Sequence, residues 1–242
     1  AKRTNAKLNY DTEVIEVKPK NSMLINNLKL VKAFTEVDYV VSCGKLKTHT
    51  MMTYTGAVKN LFGMIPGVTK ADYHLKMNDP THFANMLIDV CEHVNPIFSI
   101  LDGIEAMEGD GPSSGDIRNL GLLLGGTNPH ELDYIATYIA GLDNVPTVIE
   151  AKRRGLLKTE DNSITLSGVD ISNLEIRPFK LPGSTHVNFV SGRIPKFVES
   201  FLLEEIRPYP LVKLDMCIGC GVCVKNCPPK VIRLEYKKAV ID

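Results

Sequence analysis

The 242-residue chain has no net charge, because 28 lysine and arginine residues balance 28 aspartate and glutamate residues. This balance gives no reason to expect a nucleic-acid or membrane partner. No apolar run approaches the ~20 residues of a membrane helix, and no secretory signal opens the chain. The first residues are typical of the middle of a domain, so the missing signal carries little weight on location. Internal repeats and low-complexity segments are also absent.

Apolar runs that end in glycine alternate with amphipathic helical patterns along the first part of the chain. We expect buried strands over 36–44 and 120–128, a short apolar strand over 97–104, and helices over 79–96 and 129–143. Thr81 is the expected N-cap of the first of these helices. The alternation predicts an α/β fold with a largely parallel or mixed sheet flanked by helices.

The later part of the chain carries weaker signals. Residues 163–168 and 186–192 have some strand character, and 195–206 is typical of a helix. We therefore predict an α/β domain over 1–206 and a small ferredoxin-like C-terminal module over 207–242.

Four of the six cysteines lie in a single run near the end of the chain. The run contains Cys217, Cys220, Cys223 and Cys227, followed by Pro228. This spacing is that of the bacterial ferredoxin run, which binds a [4Fe–4S] cluster. Gly219 and Gly221 let the chain wrap the cluster and point backbone N–H groups at sulfur. Zinc sites more often show two CxxC pairs with a longer insert between them, so the spacing favours the cluster. Such cysteines also indicate a reducing compartment, and we expect the protein to be cytoplasmic.

The number of ligands complicates this interpretation. In two-cluster ferredoxins the fourth cysteine of the run ligates the other cluster, which assigns Cys227 to a second site. The tail over 231–242 predicts a strand, a polar turn and a strand, and no second cysteine run follows it. Of the other two cysteines, Cys91 is expected to be an inert core thiol, and Cys43 to end a strand beside a polar segment.

Two polar segments, 45–67 and 103–116, follow predicted strands, where ligands of α/β proteins usually bind. We expect the first to be a long loop with a short helix over 57–62. It is rich in lysine, and Lys45, Lys47 and His49 alternate as they would on one side of an extended strand. Its glycines match no Walker-type or dinucleotide-binding motif, so an anion pocket and a solvated basic surface both remain open.

The second polar segment is acidic and glycine-dense. Asp102, Glu108 and Asp110 are oxygen ligands of the kind that Mg²⁺ or Ca²⁺ takes, and they could also act as a general acid and base. Their spacing does not match an EF-hand, and it favours a tight turn over a divalent cation site.

Three motifs, in this order and ahead of a ferredoxin run, resemble an uncharacterised iron–sulfur-associated family, "domain of unknown function 362". They are KLKTHTMMTYTGAVKNLFGMIPG, LDGIEAMEGDGPSSG and HELDYIATYIAGLD, and the resemblance covers roughly 36–157. It implies that the chain is trimmed at both ends, because family members normally begin earlier and carry two cysteine runs. It also implies that both polar segments form one functional surface, which Asp133 joins.

The predicted site therefore has three groups of residues. Catalytic roles are expected for Lys45, Lys47, His49, Lys59 and Asp110. Cofactor-binding roles are expected for Asn60, Asp102, Glu108, Gly111 and Asp133. The metal ligands are expected to be Cys217, Cys220, Cys223 and Cys227.

The leading functional hypothesis is an iron–sulfur redox protein, a possible oxidoreductase, in which a small anionic ligand binds the α/β domain and a redox partner protein exchanges electrons. A non-catalytic electron carrier that docks a partner enzyme is one alternative. A divalent-metal-dependent enzyme with a structural cluster is another.

We expect at most one cluster per chain, because the ligands of a second cluster do not follow Cys227. Chemical analysis of the reconstituted protein should then give about four iron and four acid-labile sulfide atoms per chain. About eight atoms of each would contradict this prediction. Replacing Cys217 and Cys220 with serine provides the cluster-free control.

Overall fold

The computed structural model of the chain describes six stretches of residues. They are 3–77, 79–157, 164–174, 177–183, 211–227 and 231–241. The chain divides into two compact units, Ala1–Thr185 and His186–Asp242. The predicted domain boundary at 206 and the segments 186–192 and 195–206 lie outside the described residues.

The first unit is built on a four-stranded mixed sheet in the order β4-β3-β5-β6. Its strands are β3 (Val41–His49), β4 (Thr53–Thr55), β5 (Phe98–Glu108) and β6 (Asp116–Gly126). The β3–β5 pair is parallel, whereas β3–β4 and β5–β6 are antiparallel. A separate antiparallel pair, β1 (Val14–Val17) and β2 (Leu28–Val31), precedes the sheet.

Five α-helices accompany this sheet in the described part of the first unit. They are α1 (Ala57–Asn60), α2 (Gly67–Lys76), α3 (Pro80–Val94), α4 (Pro129–Ile139) and α5 (Pro146–Arg153). Short 3₁₀ helices span Lys32–Glu36, Leu61–Met64 and Ile171–Asn173. The fold is therefore mixed α/β, as predicted. None of the helices in the described stretches is long and apolar enough to cross a membrane.

Before α1, the first polar segment is mainly strand, contrary to the predicted loop. β3 begins at Val41 and not at residue 36, and it continues through Lys45 and Lys47 to His49. Threonine-rich sequence suits a strand, because β-branched side chains pack well on a pleated surface. The predicted helix over 57–62 is present as α1 and the 3₁₀ turn that follows it. Cys43 consequently lies within β3 and does not end a strand.

The second polar segment is the end of a long β-hairpin. β5 extends to Glu108 and β6 starts at Asp116, which leaves only 109–115 for the turn. β6 was expected to be a buried strand over 120–128, but its residues alternate in exposure, and Leu123 is 65% exposed. Such alternation is typical of an antiparallel strand with one face on the core.

The helix predictions were closer to the structure. α3 and α4 occupy most of the two predicted ranges, but the cap of α3 is Asp79 and not Thr81. The Asp79 carboxylate accepts hydrogen bonds from the backbone N–H groups of Thr81 and His82. Residues 164–168, for which the sequence indicates some strand character, form no strand in the structure.

The second unit contains a short helix, α6 (Val222–Asn226), and an antiparallel pair, β7 (Ile232–Glu235) and β8 (Lys238–Ile241). The predicted strand, turn and strand are thus present. Tyr236 and Lys237 form the turn with φ of 49° and 61°, the conformation of a two-residue hairpin.

A fully buried carboxylate, Asp89 on α3, fastens the segment before β2 to the helix. It accepts hydrogen bonds from Ser22 Oγ and from the backbone N–H groups of Met23, Leu24 and Ile25. Arg154 completes the arrangement, with its Nη2 atom 2.9 Å from Asp89 Oδ1 and its side chain only 6% exposed.

Replacing Asp89 with alanine should lower the free energy of unfolding by about 3–5 kcal/mol, because it leaves Arg154 as an unpaired buried charge. Urea denaturation measures this loss. Asp170→Ala is the matched control, since Asp170 is exposed and caps only a local 3₁₀ turn. A loss below about 1 kcal/mol for Asp89→Ala would show that the Asp89 contacts are not important for stability.

Candidate functional site

Five basic side chains from three elements lie near one another in the first unit, and we call them the cationic cluster. They are Lys47 and His49 on β3, Lys59 on α1, and Lys70 and His74 on α2. The Nζ atoms of Lys59 and Lys70 lie 5.8 and 5.9 Å from the centroid of the Phe62 ring. The His74 ring stacks on Phe83 of α3, with centroids 4.5 Å apart.

Lys59 is the most unusual charge in this cluster. Burial, together with the charges of the neighbouring Lys47 and Lys70, lowers its pKa to about 8. Within the stretches that the structure describes, no carboxylate forms an ion pair with Lys47, Lys59 or Lys70. A partly buried ammonium without a counter-ion is costly, and a bound anion would relieve that cost.

His49 is neutral at pH 7 and has a defined tautomer. Its Nδ1 atom accepts hydrogen bonds from the backbone N–H groups of Met51 and Met52, at 3.1 and 3.3 Å. The ring proton is therefore on Nε2, which leaves an N–H donor. Burial, together with the charges of Lys59, His74 and Lys47, lowers the pKa of His49 to about 3.

The turn between β5 and β6 packs against the end of β3. Lys47 Nζ donates to the Pro112 carbonyl at 3.1 Å, and Thr48 Oγ1 donates to the Gly109 carbonyl at 2.8 Å. Gly111 is required here, because a Cβ atom at this position would collide with the Thr48 carbonyl. The two polar segments therefore do meet, and Gly111 has a structural role at their junction.

Lys45 and Asp102 do not belong to the cationic cluster. They are register partners on β3 and β5, and their side chains form an ion pair of 2.8 Å. Lys45 also donates to the Glu105 carbonyl at 2.7 Å. The Lys45 hydrogen bond lowers the pKa of Asp102, and the Ile104 N–H contributes in the same direction. The lysine-rich first polar segment and the acidic second one thus neutralise each other at this point.

The other two acidic residues contact a different part of the chain. Glu108 is buried and accepts a hydrogen bond from the backbone N–H of Lys180 at 3.2 Å. Asp110 accepts one from the N–H of Gly183 at 2.8 Å. Asp102 lies six residues before Glu108 along β5. In the described part of the chain, these three carboxylates do not group at single-ion spacing, so the geometry gives no divalent cation site there.

Asn60 and Asp133 position the helix that carries Lys59. Asn60 Nδ2 donates to Ser42 Oγ on β3 at 2.9 Å. Asp133 is fully buried on α4 and accepts hydrogen bonds from the Tyr54 hydroxyl and from the backbone N–H groups of Ala57 and Val58, at 3.0, 2.6 and 3.0 Å. The N-terminus of α1 is therefore occupied by a carboxylate of this chain.

Sequence reasoning omitted Lys70 and His74 from the predicted site. Their i, i+4 spacing on α2, beside a loop already rich in lysine, was an available signal. Only the packing of α2 against Phe62 and Phe83 shows that they belong with Lys59.

The four cysteines of the second unit form no disulfide and lie on a tightly turned backbone. Gly219 and Gly221 both have positive φ, 68° and 75°, and a Cβ atom at Gly219 would collide with the Lys237 carbonyl. The backbone N–H of Ala239 lies 3.4 Å from Cys217 Sγ. Hydrogen bonds from Ala239 and Gly219 lower the pKa of the Cys217 thiol and so favour the thiolate. These features fit an iron–sulfur cluster, whose ligands are thiolates.

Comparison with known proteins finds one family model that matches part of the first unit and one that matches part of the second. Residues 1–138 match the family model "Domain of unknown function (DUF362)". This chain belongs to that family. The match starts at residue 1, earlier than the 36 expected from the motifs, and it ends before 157. Residues 210–233 match a 4Fe-4S binding domain, so the DUF362 chain is also an iron–sulfur binding protein.

A curated relative of this DUF362 chain is the "Thylakoid-associated protein sll1697" of Synechocystis sp. (strain ATCC 27184 / PCC 6803 / Kazusa). The two are 42% identical over 137 residues, which cover 55% of this chain and 43% of the relative. The aligned part thus spans less than half of the relative's length. No solved structure matches the chain significantly.

Asp133→Asn should lower the free energy of unfolding at pH 7 by about 1–3 kcal/mol, because the amide N–H₂ cannot accept the Val58 hydrogen bond. Burial raises the pKa of Asp133 from its usual 3.8 to about 6, so the folded state binds the proton more tightly. The wild type should therefore gain stability relative to Asp133→Asn as pH falls from 7 through about 6.

Chemical denaturation at several pH values measures this difference. Asp102→Asn is the control of opposite sign, because the folded pKa of Asp102 is lowered by Lys45. The wild type should lose stability relative to Asp102→Asn as pH falls. A difference for Asp133→Asn that stays constant or shrinks with falling pH would contradict the prediction.

Proposed function

We propose that this protein is an iron–sulfur redox protein in which a small anionic ligand binds at the cationic cluster of the α/β unit. The observation that carries the proposal is Lys59, a partly buried ammonium with two lysines nearby and no carboxylate ion pair in the described residues. Like charges gathered in a low-dielectric environment repel one another, and an anion between them converts that repulsion into attraction.

The ligand would meet two kinds of donor. Lys47, Lys59 and Lys70 offer ammonium groups, and His49 offers a neutral Nε2–H donor whose direction is set by the hydrogen bonds at Nδ1. This combination suits a compact anion such as a phosphate or a small carboxylate, since hydrogen bonds between charged groups are the strong ones. In this proposal the ligand contacts Lys47, His49 and Lys59.

The remaining predicted site residues would support these contacts without touching the ligand. Asn60 and Asp133 hold α1, Gly111 allows the β5–β6 turn to approach β3, and Asp110 anchors that turn. The ion pair between Lys45 and Asp102 and the hydrogen bond of Glu108 would stabilise the strands around the site.

A [4Fe–4S] cluster, when bound, supplies one electron at a time. In the second unit Cys217, Cys220 and Cys223 would hold this cluster, and Cys227 would be the fourth thiol of the run. An anion site and a one-electron cofactor on one chain are consistent with an oxidoreductase that acts on the bound anion. A redox partner protein would exchange electrons with it, in the reducing environment of the cytoplasm.

A second candidate function is an electron carrier that docks a partner enzyme. It is favoured by the apolar side chains exposed around the cysteine run, since exposed apolar patches mark interaction sites. These side chains are Met216, Ile218 and Val222, which are 71%, 86% and 60% exposed. The two candidates differ in whether the α/β unit binds an anion that influences the cluster.

Lys59→Met should weaken binding of inorganic phosphate or oxalate at least about tenfold, because it removes one charge-assisted hydrogen bond. The same variant should unfold at an equal or higher temperature, since it also removes a poorly compensated charge. Wild-type affinity should fall as pH rises through the Lys59 pKa of about 8. Titration calorimetry and thermal unfolding measure these effects.

Lys45→Met is the matched control, because Lys45 is already paired with Asp102. Its affinity should remain within about twofold of the wild-type value. Equal losses in both variants, or no saturable binding of either anion to the wild type, would refute the anion site. The reduction potential of the cluster, measured with and without the anion, separates the candidates, because a carrier would show no shift.

A further inference from the structure

A second cluster of potential ligands lies away from the cationic cluster, between α3 and α4. Cys91 and Glu92 are consecutive on α3, and His130 is in the first turn of α4. One ligand atom from each lies within 4.8 Å of the other two. In the described part of the chain, no other three His, Cys, Asp or Glu residues converge in this way.

The His130 side chain is buried, and only one of its two ring nitrogens has a hydrogen-bond partner among the described residues. Its side chain is 3% exposed, and Nε2 lies 2.9 Å from Glu92 Oε1. Its Nδ1 atom is buried without a hydrogen-bond partner among the described residues. A buried polar atom left unpaired costs about 1–3 kcal/mol, so an unpaired imidazole nitrogen beside a thiol and a carboxylate calls for an explanation.

The donor set identifies a class of ion. A thiolate, an imidazole and a carboxylate together suit Zn²⁺ and similar borderline cations, whereas Mg²⁺ and Ca²⁺ prefer oxygen ligands alone. The thiol of Cys91 is fully buried and free of a disulfide. The Glu92 side chain is 26% exposed, which provides a side open to solvent through which an ion can enter.

We propose that Cys91, Glu92 and a ring nitrogen of His130 form a binding site for one zinc-class divalent cation, which links α3 to α4. The ion would replace the thiol proton of Cys91, which leaves to solvent, and its two positive charges would balance the thiolate and the Glu92 carboxylate. Three protein ligands leave one coordination position for a water molecule.

The ion would also stabilise the neighbouring site through α4. His130 lies one helical turn before Asp133, the carboxylate that holds the N-terminus of α1. Fixing the start of α4 against α3 would therefore fix Asp133 as well. This role is independent of whether an anion binds at the cationic cluster.

Zinc K-edge X-ray absorption of the full chain, with its iron–sulfur cluster reconstituted, tests the proposal. The edge is specific for zinc, so iron does not interfere. We expect about one zinc ion per chain, with one sulfur neighbour near 2.3 Å and nitrogen or oxygen neighbours near 2.0–2.1 Å. Cys91→Ser should lose the sulfur neighbour and bind zinc at least about tenfold more weakly. Glu92→Gln should also bind zinc more weakly.

Cys43→Ser is the matched control, because Cys43 is an exposed cysteine on β3, and its zinc spectrum should equal that of the wild type. Absence of zinc binding by the wild type would overturn the proposal. A shell of several sulfur atoms, or a sulfur neighbour that persists in Cys91→Ser, would also overturn it, because the zinc would then be bound by the ferredoxin cysteines.

Discussion

The buried carboxylate of Asp133 is the constraint on which the candidate site depends. A four-residue helix such as α1 is too short to be stable by itself, because helix nucleation is unfavourable. Asp133 compensates by accepting the first two N–H groups of α1 and the hydroxyl of Tyr54. Lys59 and Asn60, at the end of this helix, are therefore positioned by a residue that lies more than seventy positions later in the sequence.

The charge that each lysine of β3 contributes to the cationic cluster depends on its ion-pair and hydrogen-bond partners. Lys45 and Lys47 are two positions apart, yet Lys45 pairs with Asp102, whereas the Lys47 ammonium donates to the Pro112 carbonyl and forms no ion pair among the described residues. The register between β3 and β5 shifts between these two lysines, so their neighbours on β5 differ. One charge is neutralised on the surface, and the other adds to the repulsion that lowers the pKa of Lys59.

Elements that depend on residues close together in the sequence were predicted well. Elements that depend on pairing between distant segments were not. The apolar spacing of α3 and α4 identified both helices, because a helix is stabilised by contacts that recur every three or four residues. The same reasoning mistook β3 and β5 for loops at their polar ends. Strand extent depends on pairing with distant segments, and the sequence does not display that pairing. For the same reason Lys70 and His74 were omitted from the site.

By itself, the sequence determined the ferredoxin run, the mixed α/β class and the family. Cysteine spacing and the two glycines of positive φ are local features, so the cluster chemistry can be inferred from them without knowledge of the fold. Tertiary structure alone decided which charges stay unpaired, which carboxylate holds the N-terminus of α1, and that Cys91 and Glu92 lie beside His130. Those facts depend on the distance and burial of groups from separate elements, and both quantities arise only when the elements pack.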